Sequence, residues 1–131
     1  MKQILFVCQG NSIRSIMAEA IFNKFAPNSY KAVSAGTIHI FQIDPKTKAV
    51  LKEIDIKPSK KTPSSLTYEG IVNAEKVVIM NKDVPNFPEL TPKEKIIRWN
   101  AVDTVGLPID NFRKTRDYIV KRVKALIKKL K

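Results

Sequence analysis

The sequence is short of the residue types that disulfide and metal chemistry require. Its 131 residues include one cysteine, Cys8, and one histidine, His39. A lone cysteine excludes an internal disulfide, and one cysteine with one histidine falls short of the four protein ligands of a structural zinc site. We therefore expect no disulfide framework, no metal centre and no other cofactor.

Long apolar segments and negative charge are scarce as well. The opening run Ile4–Val7 is too short for a signal peptide, and no stretch approaches the ~20 apolar residues of a membrane span. Lysine and arginine number 24 against 12 acidic residues, which gives a net charge of +12. Such a charge attracts anions without selecting among phosphoproteins, nucleic acid and lipid. We expect a cytoplasmic protein with no membrane partner.

The apolar residues that are present fall into alternating strand and helix patterns, and their 44% share is enough for a single domain over residues 1–131. Buried strands are predicted at Lys2–Val7, Tyr30–Ala35, Lys76–Met80 and Lys95–Trp99. Helices are predicted at Ser15–Phe25, Pro45–Ile54 and Asp110–Leu130, and loops at Lys57–Leu66 and Val84–Pro92. This alternation predicts an α/β fold, a parallel sheet with helices on both faces.

The segment between the first strand and the first helix, residues 8–15, has the composition of an anion site. Backbone N–H groups converge in such a loop, and ligands collect at the carboxyl ends of strands in open α/β sheets. Cys8 would face the anion as a thiolate, and the planar fork of Arg14 can bind two phosphoryl oxygens. Gly10 permits a close approach, Asn11 tolerates a left-handed backbone, and the Ser15 hydroxyl can donate to the sulfur.

A purely structural interpretation competes with this one. A lone cysteine at a strand end is usually a small buried apolar residue, and an arginine that opens a helix is usually solvated. The spacing of Cys8 and Arg14 is a loose pattern by itself, and it is the strand, loop and helix around them that favours a function.

These residues also carry a family resemblance. The segment from Cys8 to Ser15, with Met17–Ala20 after it, resembles the signature of low-molecular-weight protein tyrosine phosphatases and the related thioredoxin-coupled arsenate reductases. The resemblance continues in order through Ser34–Thr37, Val78–Met80 and Trp99–Asp103. It implies a four-stranded parallel sheet flanked by helices. It also implies a phosphatase that acts on a phosphorylated protein or a small aryl phosphate and holds phosphate or another oxyanion in the loop.

The resemblance assigns roles to individual residues. Cys8 would attack phosphorus, Arg14 would bind the equatorial oxygens, and Asp103 would protonate the leaving group and then activate water. Ser34, together with Asn11, would brace the loop. The remaining residues implied to bind phosphate are Gln9, Gly10, Asn11, Ser12, Ile13 and Ser15.

Several positions depart from the family pattern. Ile13 stands where many members have a second cysteine, so a disulfide with Cys8 is excluded, and Thr104 stands where a proline usually follows the acid. No aromatic residue follows Asp103 to flank a phosphotyrosine ring, and the small hydroxyl of Ser12 leaves phosphoarginine open as a substrate. Residues that could supply a wall of the substrate slot are His39, Ile40 and Phe41.

Three other functions fit parts of the pattern. Arsenate reduction would need an external thiol, because Cys8 has no partner cysteine. A non-catalytic adaptor would keep the loop and use its basic surface for nucleic acid, but no RNA-binding aromatic motif is present, and Trp99 and Phe112 are interpreted as core residues. A sugar-transport phosphocarrier would have little use for Arg14 and Asp103. We therefore expect a metal-independent phosphatase, with nucleic acid outside its expected partners.

Overall fold

The computed structural model describes residues 1–38, 40–81 and 91–130. In chain order the elements are β1 (Lys2–Cys8), α1 (Arg14–Phe25), β2 (Tyr30–Gly36), α2 (Pro45–Lys52), α3 (Tyr68–Asn73), β3 (Ala74–Ile79), a short 3-10 turn (Lys93–Lys95), β4 (Ile96–Arg98) and α4 (Ile109–Leu130).

The strands pair in a four-stranded parallel sheet of order β2-β1-β3-β4. The predicted fold class is therefore confirmed. Cys8 is the last residue of β1 and lies opposite Gly36 of β2, while Val7 lies opposite Ile79 of β3. Strand β2 pairs with one edge of β1, and the chain then crosses over so that β3 pairs with the other edge. The carboxyl ends of β1 and β3 therefore form a switch point, where open α/β sheets bind ligands.

Alternate residues of β1 build two cores on opposite faces of the sheet, as the period of two in a strand requires. Ile4, Phe6 and Cys8 pack with buried residues of α1, α2 and α4. The ring of Phe6 lies 5.9 Å from that of Phe22 and 5.6 Å from that of Trp99. The predicted core residues Trp99 and Phe112 are indeed buried. The opposite face, with Leu5 and Val7 of β1, is covered mainly by the short α3.

The boundaries differ from the sequence expectations in a few places. Helix α2 ends at Lys52 rather than Ile54, because Asp55 adopts a left-handed backbone (φ 58°) and the Ile56 N–H turns back to the Leu51 carbonyl. Helix α3 was not predicted, since its six residues are too few to show a helical period. Its first turn is capped by the Thr67 hydroxyl, which accepts from the Gly70 N–H. The predicted loop Val84–Pro92 lies outside the described residues as far as residue 90.

An ion-pair cluster ties α4 to the end of α2. Glu53 accepts hydrogen bonds from Arg113 at 2.8 to 3.1 Å and from Arg116 at 2.7 Å. The hydrogen bonds from Arg113, followed by those from Arg116, lower the pKa of Glu53 to about 2.

Basic residues occupy the exposed face of α4. No helix within the described ranges is long and apolar enough to cross a membrane.

The ion-pair cluster around Glu53 predicts a pH-dependent contribution to the stability of the fold. Because the pKa of Glu53 lies near 2 in the folded chain and near 4.5 without its partners, its contribution is complete above about pH 4.5 and is lost as the pH falls toward 2. We expect Glu53→Gln to lower the melting temperature near neutral pH, and the gap from wild type to close in strong acid. Glu75→Gln is the control, since its partner Lys2 is exposed. A gap independent of pH would contradict this account.

Candidate active site

The turn after β1 surrounds the Cys8 sulfur with hydrogen-bond partners. The Asn11 N–H donates to Sγ at 3.2 Å, and the Ser15 Oγ lies 2.9 Å from Sγ. Asn11 directs its N–H there by adopting a left-handed backbone with φ 51°. Donors aimed at a sulfur stabilise the thiolate, which is the nucleophilic form of cysteine. We call residues 8–15 the phosphate loop.

The buried side chain of Asn11 is the hub of a network under this loop. Its Nδ2 donates to Ser15 Oγ at 2.7 Å and to Ser34 Oγ at 3.0 Å, while its Oδ1 accepts from the Ser64 N–H at 2.7 Å. Since the Ser15 oxygen already accepts from Asn11, its own proton can point to the Cys8 sulfur. The network therefore connects the sulfur to β2 and to the chain at residue 64.

A buried charge pair lies below Asn11. The Ser34 hydroxyl donates to the carboxylate of Glu19, a residue of α1 that is only 6% exposed. Lys60 lies 3.8 Å from the same carboxylate and donates to the Ser34 carbonyl at 2.7 Å and to Ser64 Oγ at 3.1 Å. Burial lowers the pKa of Lys60, and the charges of Glu19 and Cys8 oppose that shift. Sequence reasoning assigned Lys60 to a loop and missed this contact.

Gly36, at the end of β2, lets the phosphate loop pack against the sheet. A Cβ atom there would lie 2.8 Å from the Gln9 oxygen and the Gly10 carbonyl carbon, and 2.9 Å from the Asn11 nitrogen. The Ile38 N–H then donates to the Gln9 carbonyl at 2.9 Å. The loop backbone is therefore seated directly on β2, in space that a side chain would fill.

Above the loop, at the switch point, lies a cavity of about 380 Å³. It contains the predicted catalytic residues Cys8, Arg14 and Asp103. Asn11, Ser15 and Ser34, by contrast, are buried beneath the loop, where they brace it. The complete lining is Cys8, Gln9, Gly10, Ser12, Ile13, Arg14, Ile38, Ile40, Asp44, Asp103 and Val105.

Arg14 is the most informative charge in this cavity. It is the first residue of α1, it lines the cavity, and it is only 5% exposed. Its side chain makes no hydrogen bond or ion pair with any residue of the described ranges. A guanidinium withdrawn from water is costly unless an anion compensates it. A planar guanidinium that shares a cavity with the Cys8 sulfur is the group that a phosphate or arsenate site would require.

Asp103 stands on an exposed turn after β4. The Leu107 N–H donates to the Thr104 carbonyl at 2.9 Å, and Gly106 has φ 76°, as the third position of a type II turn requires. One carboxylate oxygen of Asp103 accepts from the Val105 N–H at 3.1 Å. Within the described part of the chain its other oxygen has no partner, so it is available to a ligand. We call residues 102–107 the acid loop.

The walls of the cavity differ in part from the expectation. Ile40 lines it as proposed, together with Ile38 and Val105, whereas Phe41 is 79% exposed and is not part of the lining. His39 lies outside the described residues. The walls that are described are therefore aliphatic.

The Ser12 hydroxyl and Asp44 meet at the edge of the cavity. The hydroxyl donates to the Gln42 carbonyl at 3.0 Å and accepts from the Asp44 N–H at 2.9 Å. The side chain of Ser12 therefore joins the loop to the start of α2. Asp44 adds a second carboxylate that sequence reasoning missed, because an Asp before a proline is a common helix cap.

Potential metal ligands do not cluster in this part of the chain. Among residues 1–38, 40–81 and 91–130, no group of three or more potential ligands among His, Cys, Asp and Glu could hold a metal ion. The titratable and charged side chains that line the cavity are instead a thiol, a guanidinium and two carboxylates.

A thiol at the carboxyl edge of a parallel sheet, in one cavity with a buried arginine that has no counter-ion among the described residues, is typical of α/β enzymes that process oxyanions through cysteine. The sequence model of the family described as "Low molecular weight phosphotyrosine protein phosphatase" matches residues 3–131, and the chain belongs to this family.

Relatives with different activities resemble the chain at similar levels. Arsenate reductase 1 of Staphylococcus haemolyticus is 33% identical over 123 residues, covering 93% of this chain and 92% of that protein. The crystal structure of a low molecular weight protein tyrosine phosphatase from T. tengcongensis has a TM-score of 0.87 at 28% identity, covering 98% and 99% of the two chains. YwlE arginine phosphatase from Geobacillus stearothermophilus has a TM-score of 0.87 at 30% identity, covering 99% and 93%.

The close contact at Gly36 predicts a specific effect on the phosphate loop. In Gly36→Ala the added Cβ meets backbone atoms that cannot rotate away, so we expect a loss of about 1–3 kcal/mol in unfolding free energy and weaker binding of inorganic phosphate. Urea unfolding and calorimetric titration with phosphate measure the two effects. Gly70→Ala is the control, since its Cβ would meet only the Thr67 hydroxyl, at 3.2 Å. Phosphate affinity equal to wild type in Gly36→Ala would contradict the expectation.

Proposed function

We propose that this chain is a protein tyrosine phosphatase that hydrolyses phosphomonoesters through a cysteinyl-phosphate intermediate. The observation that carries the proposal is the buried Arg14 side chain, which lines the cavity beside Cys8 and pairs with no described residue. A phosphoryl dianion supplies the missing counter-charge and presents two oxygens to the guanidinium. The positive net charge of +12 favours the approach of such a substrate.

In the first step the Cys8 thiolate attacks phosphorus in line with the leaving oxygen. A sulfur–phosphorus bond forms while the bond to the leaving oxygen breaks, and Asp103 in its protonated form gives that oxygen a proton. The amides of the phosphate loop and Arg14 hold the three equatorial oxygens, on which negative charge is concentrated in the transition state.

In the second step the Asp103 carboxylate accepts a proton from water, and the water oxygen attacks the cysteinyl phosphate. The sulfur–phosphorus bond breaks, inorganic phosphate forms, and the Cys8 thiolate is restored. Ser15 Oγ, 2.9 Å from the sulfur, stabilises the departing thiolate as it stabilised the attacking one. Atoms and charge balance without a metal or a reductant.

The proposal predicts a defined pattern in metal-free hydrolysis of a small aryl phosphate at mildly acidic pH. We expect Cys8→Ser to reduce turnover to background and Asp103→Asn to slow it by about 10²–10⁴-fold, the usual contribution of a general acid or base. Arg14→Lys should raise the inhibition constant of inorganic phosphate, because an ammonium cannot reproduce the two-pronged contact. A folded wild type that binds phosphate but turns over no phosphoester would refute the phosphatase and favour the anion-binding adaptor.

Phosphoarginine is a second candidate substrate, and the observation that favours it is the pair of carboxylates in the cavity. Asp44 and Asp103 both line the space through which a leaving group must pass, and a guanidinium leaving group is cationic. The aliphatic walls described here offer no ring to stack on a phenol. Comparing kcat/KM for a phosphoarginine peptide and the matched phosphotyrosine peptide distinguishes the two substrate classes.

Arsenate reduction is the other candidate, favoured by the similarity to the staphylococcal arsenate reductase. Cys8 is the only cysteine, so two external thiols would have to supply both electrons. Arsenate would first form an adduct with the Cys8 sulfur. One external thiol would then release arsenite and leave a mixed disulfide on Cys8, which the second thiol would reduce.

This candidate has its own test. If the chain is a phosphatase, arsenate inhibits aryl phosphate hydrolysis and no arsenate-dependent consumption of glutathione or thioredoxin is measured. Catalytic thiol consumption that is abolished in Cys8→Ser would instead establish a reductase.

A further inference from the structure

The first turn of α2 touches both loops that carry the proposed catalytic groups. On one side the Asp44 N–H donates to Ser12 Oγ at 2.9 Å, and Thr47 Oγ1 donates to the Ser12 carbonyl at 3.0 Å. On the other side Lys46 Nζ donates to the carbonyl of Leu107, at the end of the acid loop, at 2.8 Å. Residues of one helical turn therefore bridge the phosphate loop and the acid loop.

The contacts of Lys46 hold both its backbone and its ammonium group in place. Its backbone is held by the Asp44 cap, whose Oδ1 accepts from the Lys46 N–H at 2.9 Å, and by Pro45 in the first turn. Its ammonium lies 5.6 Å from the ring centre of Phe112, a fully buried residue of α4. The Leu107 carbonyl thus accepts from a donor that also contacts the ring of a core residue.

The acid loop itself has few anchors. Thr104 is the one buried residue of the loop, at 1% exposed, whereas Val102, Val105 and Leu107 are all exposed. At one end Thr115 Oγ1 donates to the Val102 carbonyl at 3.2 Å, and at the other end stands the Lys46 contact with Leu107. Asp103 lies between these two attachments. Exposed loops with few tertiary contacts are the parts of a protein that open most readily.

We propose that Lys46 is a positioning residue that holds the acid loop, and with it Asp103, at a fixed place relative to the phosphate loop. The inference rests on the proposed function of Asp103 as the general acid. Lys46 touches no reacting atom, and its effect passes through Leu107. Displacement of a catalytic group by about 1 Å can cost about 100-fold in rate. That cost falls on the two steps in which Asp103 acts, protonation of the leaving group and activation of water. Of these, kcat/KM reports only the first, because it measures the reaction up to release of the leaving alcohol.

Leaving-group dependence is therefore the diagnostic measurement. Phenyl phosphate needs a proton on its leaving oxygen, whereas dinitrophenyl phosphate releases a stable anion without one. We expect Lys46→Met to lose about tenfold more kcat/KM on phenyl phosphate than on dinitrophenyl phosphate. The inhibition constant of inorganic phosphate should stay near that of wild type, because the contacts of Ser12 with α2 remain.

Two variants control this experiment. Lys46→Arg restores a cationic donor and should recover most of the phenyl phosphate activity. Lys48→Met makes the same change of charge at an exposed position of the same helix and should leave the ratio of the two substrates unchanged. Equal losses on both substrates in Lys46→Met, or no loss on either, would overturn the proposal.

Hydrogen exchange measures the same contact without any turnover. Amide exchange of Val105 and Leu107 should be faster in Lys46→Met than in wild type, while that of Asn11 should be unchanged. If wild type hydrolyses neither ester, the proposed function fails and the exchange data still decide whether Lys46 holds the loop. Exchange at Leu107 identical in the two proteins would reject the inference in either case.

Discussion

The site depends first on the backbone of Asn11, which is left-handed at φ 51°. This conformation costs an ordinary L-residue about 1–2 kcal/mol, so the structure must compensate for it. The compensation comes from the side chain, whose amide donates to Ser15 and Ser34 and accepts from Ser64. With the backbone turned in this way, the Asn11 N–H meets the Cys8 sulfur and the loop curves around one point.

Two buried charged residues near this loop differ in their partners, and this difference distinguishes a structural residue from a candidate ligand-binding residue. Glu19, beneath the loop, is matched by Lys60 and by the Ser34 hydroxyl. Arg14, which lines the cavity, is at least as buried but has no partner among the residues that the structure describes. A protein can retain an uncompensated guanidinium only when an anion or water offsets the cost. The first pair therefore supports the loop, and Arg14 is the residue that we propose an anionic ligand completes.

Sequence patterns predicted the sheet and the longer helices well, because each has a periodicity visible within its own segment. The run Ile4–Val7 and the helical spacing of α4 needed no distant information. Periodicity could not predict the contacts of Lys60, Asp44 and Lys46, because their partners come from distant parts of the chain. A lysine in a loop and an Asp before a proline are common surface features, so nothing local distinguishes them.

The sequence by itself determined the α/β class, the place of the thiol at the junction of the first strand and the loop, and the residues proposed to act on an oxyanion, because strand, loop and helix follow one another directly there. Only the tertiary structure decided which of those residues line the cavity. It placed Arg14 and Asp103 in the cavity and Asn11 behind the loop, and it turned the Ser12 hydroxyl toward α2. The reason is physical: burial and hydrogen-bond partners are set by elements that meet only when the sheet is formed.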